Sequence, residues 1–163
     1  MKIPVVNEQD EIIGHKDRSE KTLEDIIRIT AIWITDRDGN ILLAQRSFSK
    51  KDNPGKWGPA VAGTVEEGES YEENAYKELR EELGLENFIL NPLKKILYTS
   101  STGRKYCYFF GLEIPQETKI EIQKDEVEQV KWLSKRELKE HLKNKPEDFV
   151  QAFSILQEFL TEI

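Results

Sequence analysis

The chain has 163 residues, enough for a real hydrophobic core, and residues 1–163 read as a single domain. Its 31 acidic residues outnumber 24 basic ones, and the net charge of −7 argues against nonspecific binding to nucleic acid or to an anionic membrane. No apolar stretch approaches the length of a transmembrane helix, the single cysteine (Cys107) allows no internal disulfide, and the amino terminus lacks the apolar run of a signal peptide, so a cytoplasmic location is expected.

Ile3 to Val6 and Glu11 to Gly14 flank a polar turn, so residues 1–16 read as an amino-terminal hairpin. His15, next to that turn, reads as a surface residue. Residues 17–26 are polar and read as a loop or one helical turn. Arg28 to Thr35 is β-branched and apolar, a buried strand. Asp36-Arg-Asp-Gly-Asn40 is a turn, and Ile41 to Gln45 returns as the second arm of a hairpin. Residues 46–58 read as a loop turned by Pro54-Gly55. Arg46, Lys50, Lys51 and Lys56 make this loop basic on an acidic chain. Such a loop either meets substrate phosphates, with Arg46, Lys50 and Lys56 as the candidate contacts, or only solubilises the surface. Pro59 to Thr64 follows as a strand.

Ser70 and Glu73 have the Ser-x-x-Glu spacing of a capping box, which starts a helix at Ser70, and Gly84 sits where a glycine ends one. Ala75, Leu79 and Leu83 make its apolar stripe. Glu78, Glu81 and Glu82, spaced i, i+3, i+4, cluster on the adjacent face, where like charges cost a few tenths of a kcal/mol per pair, roughly. A divalent cation would remove that repulsion, and hard oxygen ligands suit Mg²⁺ or Mn²⁺. Three glutamates alone are as readily explained by a solvated acidic face.

Past the helix, Phe88 to Ser100 reads as strand interrupted at Asn91-Pro92, Ser101 to Gly103 as a turn, and Tyr106 to Ile114 as the most β-prone segment. Tyr106, Tyr108 and Phe110 alternate to one face, and Cys107 reads as a packed thiol. Glu126 to Leu133 is a strand. Ser134 and Glu137 form a second capping box, starting a helix through about Leu142. Pro146 opens a docking helix over 146–161, with Phe149, Phe153, Leu156 and Leu160 as its stripe.

The stretch from Gly63 to Leu85 resembles the box of the Nudix family: glycine, five residues, glutamate, seven residues, then Arg-Glu-aliphatic-x-Glu-Glu-x-Gly-aliphatic. Gly63, Glu69, Glu78, Leu79, Glu81, Glu82, Gly84 and Leu85 fall in register, and Lys77 stands where the family has arginine. The resemblance implies an α+β fold, an α/β/α sandwich with a mixed central β-sheet. It implies a metal-dependent hydrolase cleaving a phosphoanhydride bond in a nucleoside diphosphate linked to another group. By the same resemblance Glu78, Glu81 and Glu82 hold Mg²⁺ or Mn²⁺. The base that deprotonates water is one of the box carboxylates, such as Glu81 or Glu82, or an acidic residue beyond the box. Glu126 and Glu128 are the candidates there, Glu126 preferred. Gly63, Glu69, Lys77 and Gly84 shape the box. Lys77 keeps the arginine's charge but offers a flexible point contact in place of a planar fork. The implied partner is a small nucleotide-type diphosphate, with no membrane or nucleic acid. Many relatives are homodimers.

The amino-terminal hairpin, the Leu-Leu-Ala-Gln-Arg-Ser segment from Leu42 and the Pro-Glu-Asp-Phe segment from Pro146 resemble the isopentenyl-diphosphate isomerase branch of the same superfamily. That chemistry uses a cysteine and a histidine-rich metal site. Here the 59–64 strand has no cysteine, and Ile27 stands where that branch places a histidine. A third reading is a catalytically weak box used for binding or regulation, supported only by Lys77.

Overall fold

The computed structural model describes residues 1–155, and its organising element is the strand β3 (Ile26–Thr35). A run of β-branched and apolar residues buried on both faces favours a central strand. Its side chains alternate between the two cores: Ala31 and Trp33 point to one, Ile32 and Ile34 to the other. β3 pairs antiparallel with β1 (Lys2–Val6), β4 (Ile41–Arg46) and β6 (Val61–Thr64), and parallel with β8 (Gly103–Glu113). The sheet is completed by β2 (Ile12–Asp17) on β1, β5 (Trp57–Pro59) and β9 (Val127–Leu133) on β4, and β7 (Asn91–Ser100) on β8.

Helices cover both faces of this mixed sheet. On the Ile32 face lies α1 (Tyr71–Leu83), docked through Ala75, Leu79 and Leu83. Fully burying each leucine contributes about 2 kcal/mol. On the Trp33 face lie Leu138 and Leu142 of α2 (Lys135–Asn144), then Phe149 and Phe153, the latter on the short α3 (Gln151–Ile155). The architecture is therefore α+β, a sheet sandwiched between helices. No helix among the described residues is long and apolar enough to cross a membrane.

Three boundaries differ from those expected. Trp57 and Gly58, read as the end of a loop, belong with Pro59 to strand β5, because this backbone pairs with Leu43 to Gln45 despite the glycine and proline in it, and β6 starts separately at Val61. Pro92 lies inside β7 rather than interrupting it. β7 pairs on one side only, with β8, and the ladder shifts register between Pro92 and Lys94, which accommodates the missing N–H. The helix expected from Pro146 is broken: Pro146–Asp148 is a 3-10 turn, Phe149 is extended and forms a parallel bridge with Trp57, and α3 starts only at Gln151. The Val150 N–H donates to the Trp57 carbonyl at 2.9 Å, so sheet pairing wins over helix propensity here. Leu156 and Leu160 lie outside the described residues.

The hairpin of β1 and β2 is tied to the rest of the fold at its turn. Asp10, with a positive φ of 61°, accepts from Arg28 Nε at 2.8 Å, Lys95 Nζ at 2.6 Å and the Tyr71 hydroxyl at 3.0 Å. Burial opposes ionisation of Asp10, but the hydrogen bonds from Lys95, Arg28 and Tyr71 outweigh it and hold its carboxyl below the usual range. Asp10→Ala leaves the Arg28 guanidinium, 15% exposed, without this partner, which is expected to cost about 3 kcal/mol. Because the folded-state pKa is depressed, the wild-type contribution is present above the ordinary aspartate value and is lost as pH falls through the folded one. Denaturant melts of both proteins at neutral and acid pH check this; a difference that does not shrink in acid would contradict it.

Candidate active site

The box helix is built as its caps dictate. Ser70 Oγ accepts from the Glu73 N–H at 3.0 Å, and Glu73 Oε2 accepts from the Ser70 N–H at 2.8 Å. Gly84 ends the helix in the left-handed region at φ 66°, and a Cβ there would meet Glu121 Cβ at 3.1 Å.

Ahead of the helix, Glu69 holds loop and helix together. Its Oε2 accepts from the Glu66 N–H and from Asn74 Nδ2, both at 2.9 Å, and its Oε1 is ion-paired with Lys77, which also reaches Glu66 Oε2 at 3.0 Å. Burial pushes Glu69 up, yet the bonds from Lys77, Glu66 and Asn74 prevail and lower its pKa. Burial likewise pulls Lys77 down, and Glu69 and Glu66 raise it on balance. The lysine thus makes two carboxylate contacts, as a point charge between them rather than through a fork.

Sequence reasoning missed two residues of this scaffold. Asn74 is fully buried and also donates to the Thr64 carbonyl at 3.0 Å, while its Oδ1 accepts from the Thr30 hydroxyl at 2.6 Å. The available signal was a polar side chain next to Ala75, on the face that docks. These bonds fix α1 against β3 and β6.

Glu78 and Glu82 are the carboxylates this scaffold aims inward. Gly63 makes room for Glu78: a Cβ on residue 63 would lie 2.5 Å from Glu78 Cδ and 2.7 Å from Oε1. Glu82 is 8% exposed, accepts a backbone hydrogen bond from Ala62 and stands within hydrogen-bond range of Glu78. The segment after β8 folds back onto the end of α1, where the N–H groups of Gln123 and Glu121 donate at 3.0 Å to the orphan carbonyls of Glu82 and Leu83. That return carries Glu126 to the pair, close enough for its charge to act on both. Glu81 is exposed and reaches Glu78 only through space.

Burial raises the Glu78 carboxyl to about 7, against the pull of Lys77 and with the help of the Glu81 and Glu126 charges. Burial, then the Glu78 and Glu126 charges, raise Glu82 well above its ordinary value. Neither Glu78 nor Glu82 has an ion pair among the described residues. The hard-oxygen donor set and its missing positive charge fit a divalent cation, although no three such side chains among the described residues already close around an ion-sized point.

Glu82 and Glu126 line a cavity of about 190 Å³ on the Trp33 face of the sheet. Its apolar walls include Ile29, Phe109 and Phe153, and its polar lining includes Gln45, Arg46 and Lys105. Of the three basic candidates, Arg46 lines the cavity and donates from Nε to the Asp52 carbonyl at 3.0 Å. Lys50 is ion-paired with Glu126 at 2.7 Å. Lys56 is not part of the cavity lining and is turned onto the Glu147 carbonyl. Glu128 also lies outside the lining.

Comparison with known proteins bears on the family and the fold. A family model described as the NUDIX domain matches residues 26–153. The chain is 29% identical over 129 residues to an uncharacterized Nudix hydrolase of Pseudomonas aeruginosa, covering 78% of this chain and 75% of that protein. It is 33% identical over 93 residues to the isopentenyl-diphosphate Delta-isomerase of Salmonella arizonae, covering 56% of this chain and 51% of that enzyme. A crystal structure of the DR0079 protein from Deinococcus radiodurans shares the fold with a TM-score of 0.77 at 24% identity, over 89% of this chain and 90% of that one. With the family model spanning most of its length, the chain belongs to the Nudix family and has the family's mixed-sheet α+β fold.

Proposed function

We propose that this Nudix protein is a divalent-metal-dependent hydrolase that cleaves the phosphoanhydride bond of a nucleoside diphosphate linked to another group. The observation that carries the reading is the burial of Glu82 beside Glu78 and Glu126 in a cavity wall, with no ion pair to Glu78 or Glu82 among the described residues. Glu78, Glu81 and Glu82 are the residues that would hold Mg²⁺ or Mn²⁺. When bound, such an ion neutralises phosphate charge and lowers the pKa of an attacking water. The chain's own groups supply position. The Ala62 N–H fixes Glu82, Gly63 admits Glu78, and Glu69 with Asn74 and Lys77 ties the preceding loop to the helix that carries both glutamates. Glu126 is the proposed acceptor of a proton from water, which its pairing with Lys50 at the cavity wall supports. Arg46 is the cavity's donor for a phosphate oxygen, and a substrate phosphate would compete with Glu126 for Lys50.

Similarity to isopentenyl-diphosphate isomerases supports a second reading, against which Ile27, 3% exposed, and the cysteine-free β5–β6 stretch weigh. A screen of nucleotide sugars, dinucleoside polyphosphates, coenzymes and oxidised nucleotides with Mg²⁺ tests the proposal. Release of phosphate or nucleoside monophosphate, abolished by chelator, is the expected result. Isopentenyl diphosphate in deuterated water is expected to give neither exchange nor dimethylallyl product. Label incorporation without hydrolysis of any compound would favour the isomerase reading.

A further inference from the structure

The cavity that begins at Glu82 and Glu126 ends at a cation. Lys105 of β8 lines it together with Ser100, Ser101 and Thr102 from the β7–β8 turn. Lys105 Nζ donates to the Thr102 hydroxyl and reaches Ser100 Oγ at 3.5 Å, and no carboxylate pairs with it among the described residues. Two more cations lie behind it. Lys21 Nζ donates to the Thr102 carbonyl at 2.8 Å, and Lys21 and Arg18 both act on Lys105 through space. Asp52 opposes them only at a distance. Burial, then the Lys21 and Arg18 charges, lower the Lys105 pKa, so its charge is held at a cost that neutral hydroxyls do not offset.

The sheet register gives the offset along the strands between the backbone positions of this lysine and of the residue that meets Glu82. Ala62, whose N–H holds Glu82, pairs with Ala31, and Ala31 pairs with Phe109. Lys105 lies on β8 opposite Ile27, four residues before Phe109, which is about 13 Å along the strand. That span is longer than one diphosphate linkage, and the walls between the ends are Ile29, Cys107 and Phe109. Glu82 and Glu126, with Arg46 beside Glu126, stand at one end of the cavity, apolar side chains between, and Lys105 at the other.

We infer that Lys105 is a specificity-determining residue, and that the substrate of the proposed hydrolase is a diphosphate whose linked group carries a second anion, phosphate or carboxylate, at its far end. This rests on the metal-dependent reading for the first end of the cavity, but Lys105 recognises the second anion whether or not a bond is cleaved. The anion supplies the counter-ion that no described residue provides, and Ser100 and Thr102 supply hydroxyl donors beside it.

The test uses matched pairs that differ by one anionic group on the linked moiety: UDP-glucuronate against UDP-glucose for carboxylate and ADP-ribose 1″-phosphate against ADP-ribose for phosphate. Both kcat/KM and calorimetric affinity are measured with Mg²⁺ for wild type, Lys105→Met and Lys105→Arg. A charge-assisted contact predicts that wild type favours the anionic member of at least one pair by roughly 10-fold or more. In Lys105→Met that ratio falls to near one, and in Lys105→Arg it is retained. Lys105→Met removes an unpaired, part-buried charge and keeps the apolar stem, so the variant folds, which its melting curve checks. Preference in binding without hydrolysis of any compound would sink the hydrolase reading and leave this inference standing. Hydrolysis with no preference would do the reverse. Pairs bound alike, bound not at all, or discriminated equally by Lys105→Met overturn the inference.

Discussion

Glu82→Gln is expected to lower kcat on the best substrate by about 100-fold or more, close to 3 kcal/mol of barrier, while the protein stays folded. The substitution keeps size and an acceptor for the Ala62 N–H, and removes only the charge that would bind a cation. Its effect on the metal-free protein has the opposite sign. Glu78 and Glu82 have folded-state pKa values raised above the ordinary glutamate value of 4.5, Glu78 to about 7. The folded chain therefore binds more protons than the unfolded one in that window, and wild type loses stability as pH rises from about 4.5 through 7. Glu82→Gln removes part of this loss. Melting curves without metal should show the variant at least as stable as wild type at pH 7, with the difference shrinking toward pH 4. A variant markedly less stable at pH 7 would mean that Glu82 is a structural carboxylate.

Gly63→Ala has the second largest expected effect, a loss of roughly 10- to 100-fold in kcat/KM. The glycine is not needed for its backbone angles, since its φ is not among the positive ones. It is needed because Glu78 crosses it: an added Cβ would lie 2.5 Å from Cδ and closer still to Cγ. The only relief is for Glu78 to swing away, which also frees it from burial, so stability should change little. If Gly63 acts through Glu78, the double variant Gly63→Ala/Glu78→Gln should be no worse than the poorer single variant. Additive losses would show that Gly63 serves the site by another route.

The box helix was legible because its signals are local. Both partners of the Ser70/Glu73 cap lie within one turn, and Gly84 ends the helix through the carbonyls of Leu79 and Arg80, close to it in sequence. Which glutamates face inward was legible only in part. At 100° per residue, Glu82 lies about 60° from Leu79 around the helix and Glu81 about 160°, so rotation already favoured Glu82. The i, i+3, i+4 spacing treated the three as equals, and the sheet edge then buried one and left another exposed. The ion pair of Lys50 with Glu126 joins residues 76 apart and has no sequence signal. The basic loop was read as a unit, but its members diverge: Arg46 enters the cavity wall, Lys50 neutralises a site carboxylate and Lys56 caps a distant carbonyl. Lys105 falls at the end of the 99–105 loop, which the sequence marks as one place where substrate is selected, but nothing there singles out this lysine, and the strand read for its aromatics starts only at Tyr106. The lysine's lack of a carboxylate partner among the described residues is a property of the cavity, not of its neighbours in sequence. The broken carboxy-terminal helix has the same origin, since Phe149 is claimed by Trp57 across the sheet.

The account turns on a divalent cation held by Glu78 and Glu82. Its most direct test is a calorimetric titration of Mn²⁺ into wild-type and Glu82→Gln protein, each with a non-hydrolysable methylene diphosphate analogue present. The account predicts saturable binding to wild type and an affinity at least roughly 10-fold weaker in the variant. Absence of Mn²⁺ binding to wild type, or equal affinity in the two proteins, would contradict it.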